Sequence, residues 1–487
     1  MSQEIRNLEP KQLWNKFADL NAVPRPSKKE DKVIAFMKDF GNSLGLETFE
    51  DEIRNVIIRK PATPGMENRK PIVLQGHLDM VHQKNNDTIF DFNSQGIDMY
   101  VDGDWVRARG TTLGADNGLG VAMMMSILES KEIKHPAIDA LFTIDEETGM
   151  TGALNLKGGI LKGEILLNMD TEEDDEIDIG CAGGLDVTAT RSYQSVSTPS
   201  DCQGFTIRVK GLNGGHSGMD IHKGLGNANK IMNRLLYDGF NKFGLRVSEI
   251  SGGSLRNAIP RESVAKVAVD ESRKKDFDAA MKGLVNEIKF EFKTTEPNLV
   301  IEIEKSDLPS SVMDSEVQDK LIQSIYTAHN GVYRMSADME DLVETSNNIA
   351  RVLVKEGEIS IQNLTRSSVE SSKLDLANAL KSAYELAGCN VEFSGDYPGW
   401  TPNVKSEILD LFVHIYEKQN NEKPKVVACH AGLECGILGK NYPGMDMISF
   451  GPTIHGAHSP DERASIKSSQ KFWKFAIEVL ENIPMKN

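Results

Sequence analysis

Six places in this chain put acids or histidines directly after an apolar run. His77 and Asp79 follow PIVLQG, and Asp116 sits in RGTTLGADNGLG. Glu146 and Glu147 follow LFTID, and Asp170 follows EILLNM. Glu434 lies in CHAGLECG, and His458 in SFGPTIHGAHSPDE. Histidine and carboxylate without cysteine make a donor set for zinc, manganese or cobalt. Two divalent ions bring four positive charges. Three carboxylates and a bridging hydroxide offset them, and neutral imidazoles add nothing. His77, Asp116, Glu147, Asp170 and His458 supply that set, with Asp116 between the ions. Two ions ~3.5–4 Å apart acidify a shared water and polarise a carbonyl.

Glu146 and Glu147 are adjacent. On extended backbone their side chains point opposite ways, so one can bind metal while the other moves protons as general base. His77 and Asp79, at i and i+2, share one side, which lets Asp79 hold the His77 imidazole. Taken singly, each of these acids also reads as a helix cap or a solvated loop end; only the set is specific. His455 competes with His458 for the ligand role. His82, His135, His222 and His414 read as surface or core histidines.

Something must bring these residues together. Helical spacing over about 29–45, strands at VIIRK and PIVLQ, an Asp-Gly hairpin in DMYVDGDWVRARG, an apolar helix over 118–130 and the strands IDALFTID and EILLNMD predict an α/β layer with a buried sheet. In such a sheet, ligands gather beyond the carboxyl ends of the strands. After Asp186 the pattern becomes amphipathic: FTIRVKG, a helix near 222–236, KFGLRVSEISGG, SVAKVAVDES and a helix near 274–290. A similar order recurs as a helix near 340–354, the strand EISIQNL, a helix near 367–387 and VEFSGD, which reads as an internal repeat. From 401 the α/β pattern returns. The expected organisation is a catalytic domain in two segments, 1–186 and 401–487, with an inserted α+β domain at 187–400. A loop insertion of that kind costs little closure entropy.

Composition excludes several classes. The chain has 487 residues and a net charge of −17, which disfavours nucleic acid and anionic membranes as partners. Its 5 cysteines form no CxxC pair, so no disulfide framework or thiolate zinc site is expected. No apolar run reaches the ~18 residues of a membrane span, and the polar N-terminus has no signal core. A cytoplasmic setting is the expectation. No GxSxG elbow supports a serine hydrolase.

The motifs GHLDMV, GADNGLGVA, DEETGMTGA, NMDTEE, GGHSG and GPTIHGAHSPDE, in this order, resemble the co-catalytic zinc peptidases related to glutamate carboxypeptidase, acetylornithine deacetylase and aminoacylase. The match is fullest to the branch acting on Xaa-His dipeptides. That resemblance implies a zinc-peptidase α/β domain with an inserted lid and dimerisation domain, and hence a homodimer. It implies that His77 and Asp170 hold one zinc and Glu147 and His458 the other, with Asp116 bridging. It also implies Glu146 as general base, Asp79 as the residue orienting His77, and a cis peptide at Asp116–Asn117. His216, in GLNGGHSGMD, resembles the lid histidine that stabilises the oxyanion; flanking glycines equally read as an exposed turn. Asn257 and Glu434 are expected to bind substrate, with Tyr397 and Trp400 nearby. The implied reaction is hydrolysis of unblocked dipeptides such as β-alanyl-histidine by a metal-bridging water. Deacylation of N-acyl amino acids, broader aminopeptidase activity and a non-catalytic scaffold are the alternatives.

Overall fold

The computed structural model describes residues 3–486. The chain divides into two compact units. The first comprises residues 1–180, 402–428 and 433–487, and the second 181–401 and 429–432. The first boundary falls before Asp186 because the strand Gly183–Ser192 belongs wholly to the sheet of the second unit.

The first unit is built on an eight-stranded sheet. Its middle strands, Ile138–Thr143, Ile72–His77, Ile165–Asn168 and Asp446–Ser449, run parallel in that order. The first three are buried at every position. That explains why they read as unbroken apolar runs rather than as alternation. The helix Ala115–Glu129 is buried over nearly its whole circumference. The amphipathic helices Asp31–Ser43 and Ile466–Asn482 each bury one face. The returning segment is anchored by aromatic packing: Phe412 meets Phe450 and Phe475 edge-on with ring centroids 5.0 and 5.2 Å apart. Burying each such side chain stabilises by roughly 1.5–3 kcal/mol. A small four-stranded sheet binds Arg463–Ser465 to Trp105–Ala108 and so fixes the 454–465 segment.

The second unit carries a nine-stranded antiparallel sheet. It holds two sets of four strands in the same order. Cys202–Lys210, Arg246–Gly252, Ser263–Asp270 and Val300–Ser306 form one; Gly183–Ser192, Val343–Lys355, Glu358–Ser367 and Asn390–Tyr397 form the other. In each, the first strand lies between the third and fourth, and the second strands pair at the seam. Helices cover the sheet. Ala228–Phe243 is typical: Asn227 Oδ1 caps it by accepting from the Asn229 and Lys230 amides, and Gly244 in the left-handed region ends it.

The helix expected near 340–354 is instead the strand Val343–Lys355. It pairs with Glu358–Ser367 through a two-residue turn at Glu356 and Gly357, both with positive φ (53° and 82°). That turn matches strand twist, and the pairing overrides any helical spacing in NNIARVLVK.

Candidate active site

The carboxyl ends of the parallel strands deliver the site. His77 closes Ile72–His77, Asp170 follows Ile165–Asn168, and Glu146 and Glu147 follow Ile138–Thr143. His458 lies beyond Asp446–Ser449, with φ 64°. Asp116 sits at the start of the buried helix, before a cis Asp116–Asn117 bond.

These side chains converge. Asp116 Oδ1 lies 3.1 Å from His77 Nε2, and Asp116 Oδ2 lies 3.1 Å from His458 Nε2. Asp170 Oδ1 is 3.4 Å from His77 Nε2, and Glu147 Oε2 is 2.9 Å from His458 Nε2. These side chains form the group His77–Glu146–Glu147 and two triads, His77–Asp116–Asp170 and Asp116–Glu147–His458, each with its donor atoms within 4.8 Å of one another. The two triads share Asp116 through separate oxygens. Glu146 lies at the edge of the first triad, its Oε2 4.0 Å from His77 Nε2. His455 stays outside, its ring tilted against Trp105 with centroids 5.1 Å apart, and 3.3 Å from Glu173.

The donor set suits divalent cations. Asp170 Oδ1 is buried without a hydrogen-bond partner, as an atom reserved for coordination would be. Hydrogen bonds to Asp116 and Glu147 raise His458 to about 11. Burial opposes charge on His77, yet Asp170, Asp116 and Asp79 hold it well above its ordinary value. A cation, which requires neutral imidazoles, would replace those protons. His77 presents Nε2 to the acids and turns Nδ1 toward Asp79, 3.2 Å from its carbonyl oxygen and 3.4 Å from its Oδ1.

Glu146 and Glu147 do not divide their roles by extended backbone. They lie in a helical turn, Glu146–Gly149, entered through Asp145 at φ 52°. The turn separates them: Glu147 faces His458, whereas Glu146 stays outside both triads that share Asp116. Burial pushes Glu146 well above the ordinary carboxyl value, the direction that makes a carboxylate a stronger base. Glu434 is fully buried; its Oε2 accepts from Gln75 and Thr143, its Oε1 has no partner, and burial pushes it up to about 7.

In the second unit, His216 pairs with Ala258 in a short two-stranded ladder. It is half-buried rather than an exposed turn residue. Its Nδ1 accepts from the Gly218 and Met219 amides, so the neutral ring carries its proton on Nε2. Gly218 allows this approach: a Cβ there would lie 2.0 Å from the His430 carbonyl oxygen. Burial and the Arg366 charge lower the His216 pKa and keep the ring neutral. Asn257 is exposed in the adjoining turn, with its carbonyl accepting from Ser217. Trp400 is buried, and the Tyr397 hydroxyl accepts from Arg366.

Sequence reasoning missed Arg25, Arg366 and Glu462. Arg366 is buried beside His216, 3.5 Å from its Nε2, with an unpartnered Nε. The stretch NLTRSS offered no signal for it.

A profile of peptidase family M20/M25/M40 matches residues 73–482. The chain belongs to this family. Among M20 relatives, the cytosol non-specific dipeptidase of Escherichia coli is 42% identical over 487 residues, covering 99% of this chain and 100% of that one. The crystal structure of aminoacylhistidine dipeptidase from Vibrio alginolyticus matches with a TM-score of 0.95 and 44% identity, covering 100% of this chain and 99% of that one. Aminopeptidase PepT from Bacillus cereus, at 16% identity and a TM-score of 0.58, covers 98% of this chain and 99% of its own and shares the fold.

Proposed function

We propose that this M20 chain is a dinuclear metal-dependent dipeptidase acting on unblocked dipeptides, with Xaa-His, β-alanyl-histidine included, as the preferred class. The observation that carries this reading is the pair of donor triads sharing Asp116, with Glu146 beside them. The Escherichia coli relative is a cytosol non-specific dipeptidase and the Vibrio alginolyticus one an aminoacylhistidine dipeptidase, which supports the substrate class.

His77, Asp116 and Asp170 would hold one ion, and Asp116, Glu147 and His458 the other. When bound, such ions polarise a carbonyl and acidify water. Zinc is the reading for this donor set, with manganese or cobalt as alternatives. Glu146 takes a proton from the attacking water and returns it to the leaving amine. Asp79 holds His77 in its ligating tautomer. His216, with its proton on Nε2, is the proposed oxyanion donor, and Asn257 and Glu434 the proposed substrate contacts.

We also propose a cytoplasmic homodimer formed through the second unit. Among the described residues no helix is long and apolar enough to cross a membrane. Light scattering on the purified chain tests the dimer.

The deciding assay compares β-alanyl-histidine, N-acetyl amino acids and longer peptides on one preparation. Turnover confined to dipeptides, lost to a chelator and regained with zinc, manganese or cobalt, supports the reading. Preference for acetylated substrates, or no turnover with metal present, overturns it.

A further inference from the structure

The loop entering Asp116 turns on Gly114, at φ 69°. There, successive amides point to one side and form an anion-binding concavity. Its occupant is the Glu462 carboxylate, only 2% exposed. Oε2 accepts from the amides of Leu113 (2.7 Å) and Gly114 (2.9 Å), and Oε1 from those of Ala115 (2.7 Å) and Asp116 (3.3 Å). The other side of the loop is held by Arg25. Its Nη2 donates to the Gly114 carbonyl, and its Nη1 to the carbonyls of Leu78 (3.2 Å) and Asp79 (3.1 Å). A Cβ on Gly114 would lie 2.6 Å from Arg25 Nη2, and φ 69° itself favours glycine.

Glu462 stands four positions after His458, on a segment tied down by the ladder Arg463–Ser465 with Trp105–Ala108. Arg25 touches the turn just after His77. The three loops bearing His77, Asp116 and His458 are therefore linked by one buried carboxylate and one buried guanidinium. A buried carboxylate is a poor choice for packing alone, which an apolar side chain does more cheaply.

We infer that Glu462 is a positioning residue that clamps the Asp116 loop to the His458 segment, so that the ligand atoms shared by both metal sites stand at their spacing before an ion arrives. The inference rests on the dinuclear reading above.

Glu462→Gln tests it. The amide keeps one acceptor oxygen and turns an NH2 group toward two N–H donors. Divalent-ion affinity, measured by competition with a chromogenic chelator, is expected to weaken 10–100-fold, the usual effect of losing such an outer partner. With metal in excess, kcat is expected to fall while KM stays within about twofold, since substrate contacts are untouched. Wild-type affinity and kcat in a folded variant overturn the clamp alone. A wild-type chain that takes up no divalent ion overturns the dinuclear reading and the clamp with it. Hydrogen exchange on the metal-free wild-type chain decides without any variant. Amides 113–116 are expected to be protected before metal is added; fast exchange until metal is added overturns the proposal.

Discussion

Asp79 stands behind His77, with its Oδ1 3.4 Å from the imidazole Nδ1, and the same carboxylate accepts from the amides of Glu146 (3.0 Å) and Glu147 (3.3 Å). One buried acid thus meets the His77 ring and holds the turn carrying Glu146 and Glu147. Burial alone would raise its pKa, but the His77 contact and the Glu146 amide hold it below the ordinary carboxylate value. Asp79→Asn keeps the shape but offers an NH2 group where an acceptor is needed. We expect turnover to fall about 10–100-fold, with weaker metal retention. Steady-state kinetics with metal analysis check this; an unchanged kcat contradicts it.

Glu146 lies outside both triads that share Asp116 but groups with His77 and Glu147, so metal content and turnover of one variant tell a base from a ligand. Glu146→Gln is expected to retain both ions while losing about 10²–10⁴-fold in kcat, the usual contribution of a positioned base. Mass-spectrometric metal content beside dipeptide turnover gives both numbers on one sample. Activity near wild type would reassign the base.

Shared and unshared ligands predict different stoichiometries. Asp116→Ala removes a donor common to both triads, and Asp170→Ala removes one from the His77 triad only. Metal content is expected to drop nearly completely in the first and by about half in the second. Equal losses in the two variants would contradict the bridging role. As a check on folding, their far-ultraviolet circular dichroism should match the wild type.

His430, in the second unit, predicts an acid limb of stability. Its Nε2 meets the Ser346 hydroxyl at 2.8 Å and its Nδ1 is buried without a partner. Burial, with the charges of Arg366, His216 and His222 facing it, lowers it to about 3 from an ordinary 6.5. Between those values the unfolded chain binds the extra proton. The contribution to stability is therefore full above about pH 6.5 and is lost as pH falls toward 3. By pH 5 the loss amounts to about 2 kcal/mol. His430→Gln keeps a polar group without a titration, so its denaturation midpoint should decline less between pH 7 and pH 5. Parallel slopes for the two proteins would count against this.

Much of the candidate metal centre was legible because its side chains are acids and histidines placed directly after apolar strands, where an α/β sheet gathers ligands. The five donors His77, Asp116, Glu147, Asp170 and His458 meet as their residue types and placement implied. The backbone reasoning behind Glu146 and Glu147 was less sound: a helical turn, not an extended segment, separates them. Glu462 was illegible because its partners are backbone amides some 346–349 positions away. Backbone groups leave no mark on sequence, and an acid in HSPDE reads as a solvated loop. The strand Val343–Lys355 was misread as a helix because its hairpin partner, not its own spacing, decides its conformation.

The central claim is that Asp116 bridges two cations, one with His77 and Asp170, the other with Glu147 and His458. Anomalous diffraction from crystals grown with zinc or manganese tests it most directly. Two peaks ~3.5–4 Å apart are expected, one beside each Asp116 oxygen. A single peak, or peaks away from Asp116, would contradict it.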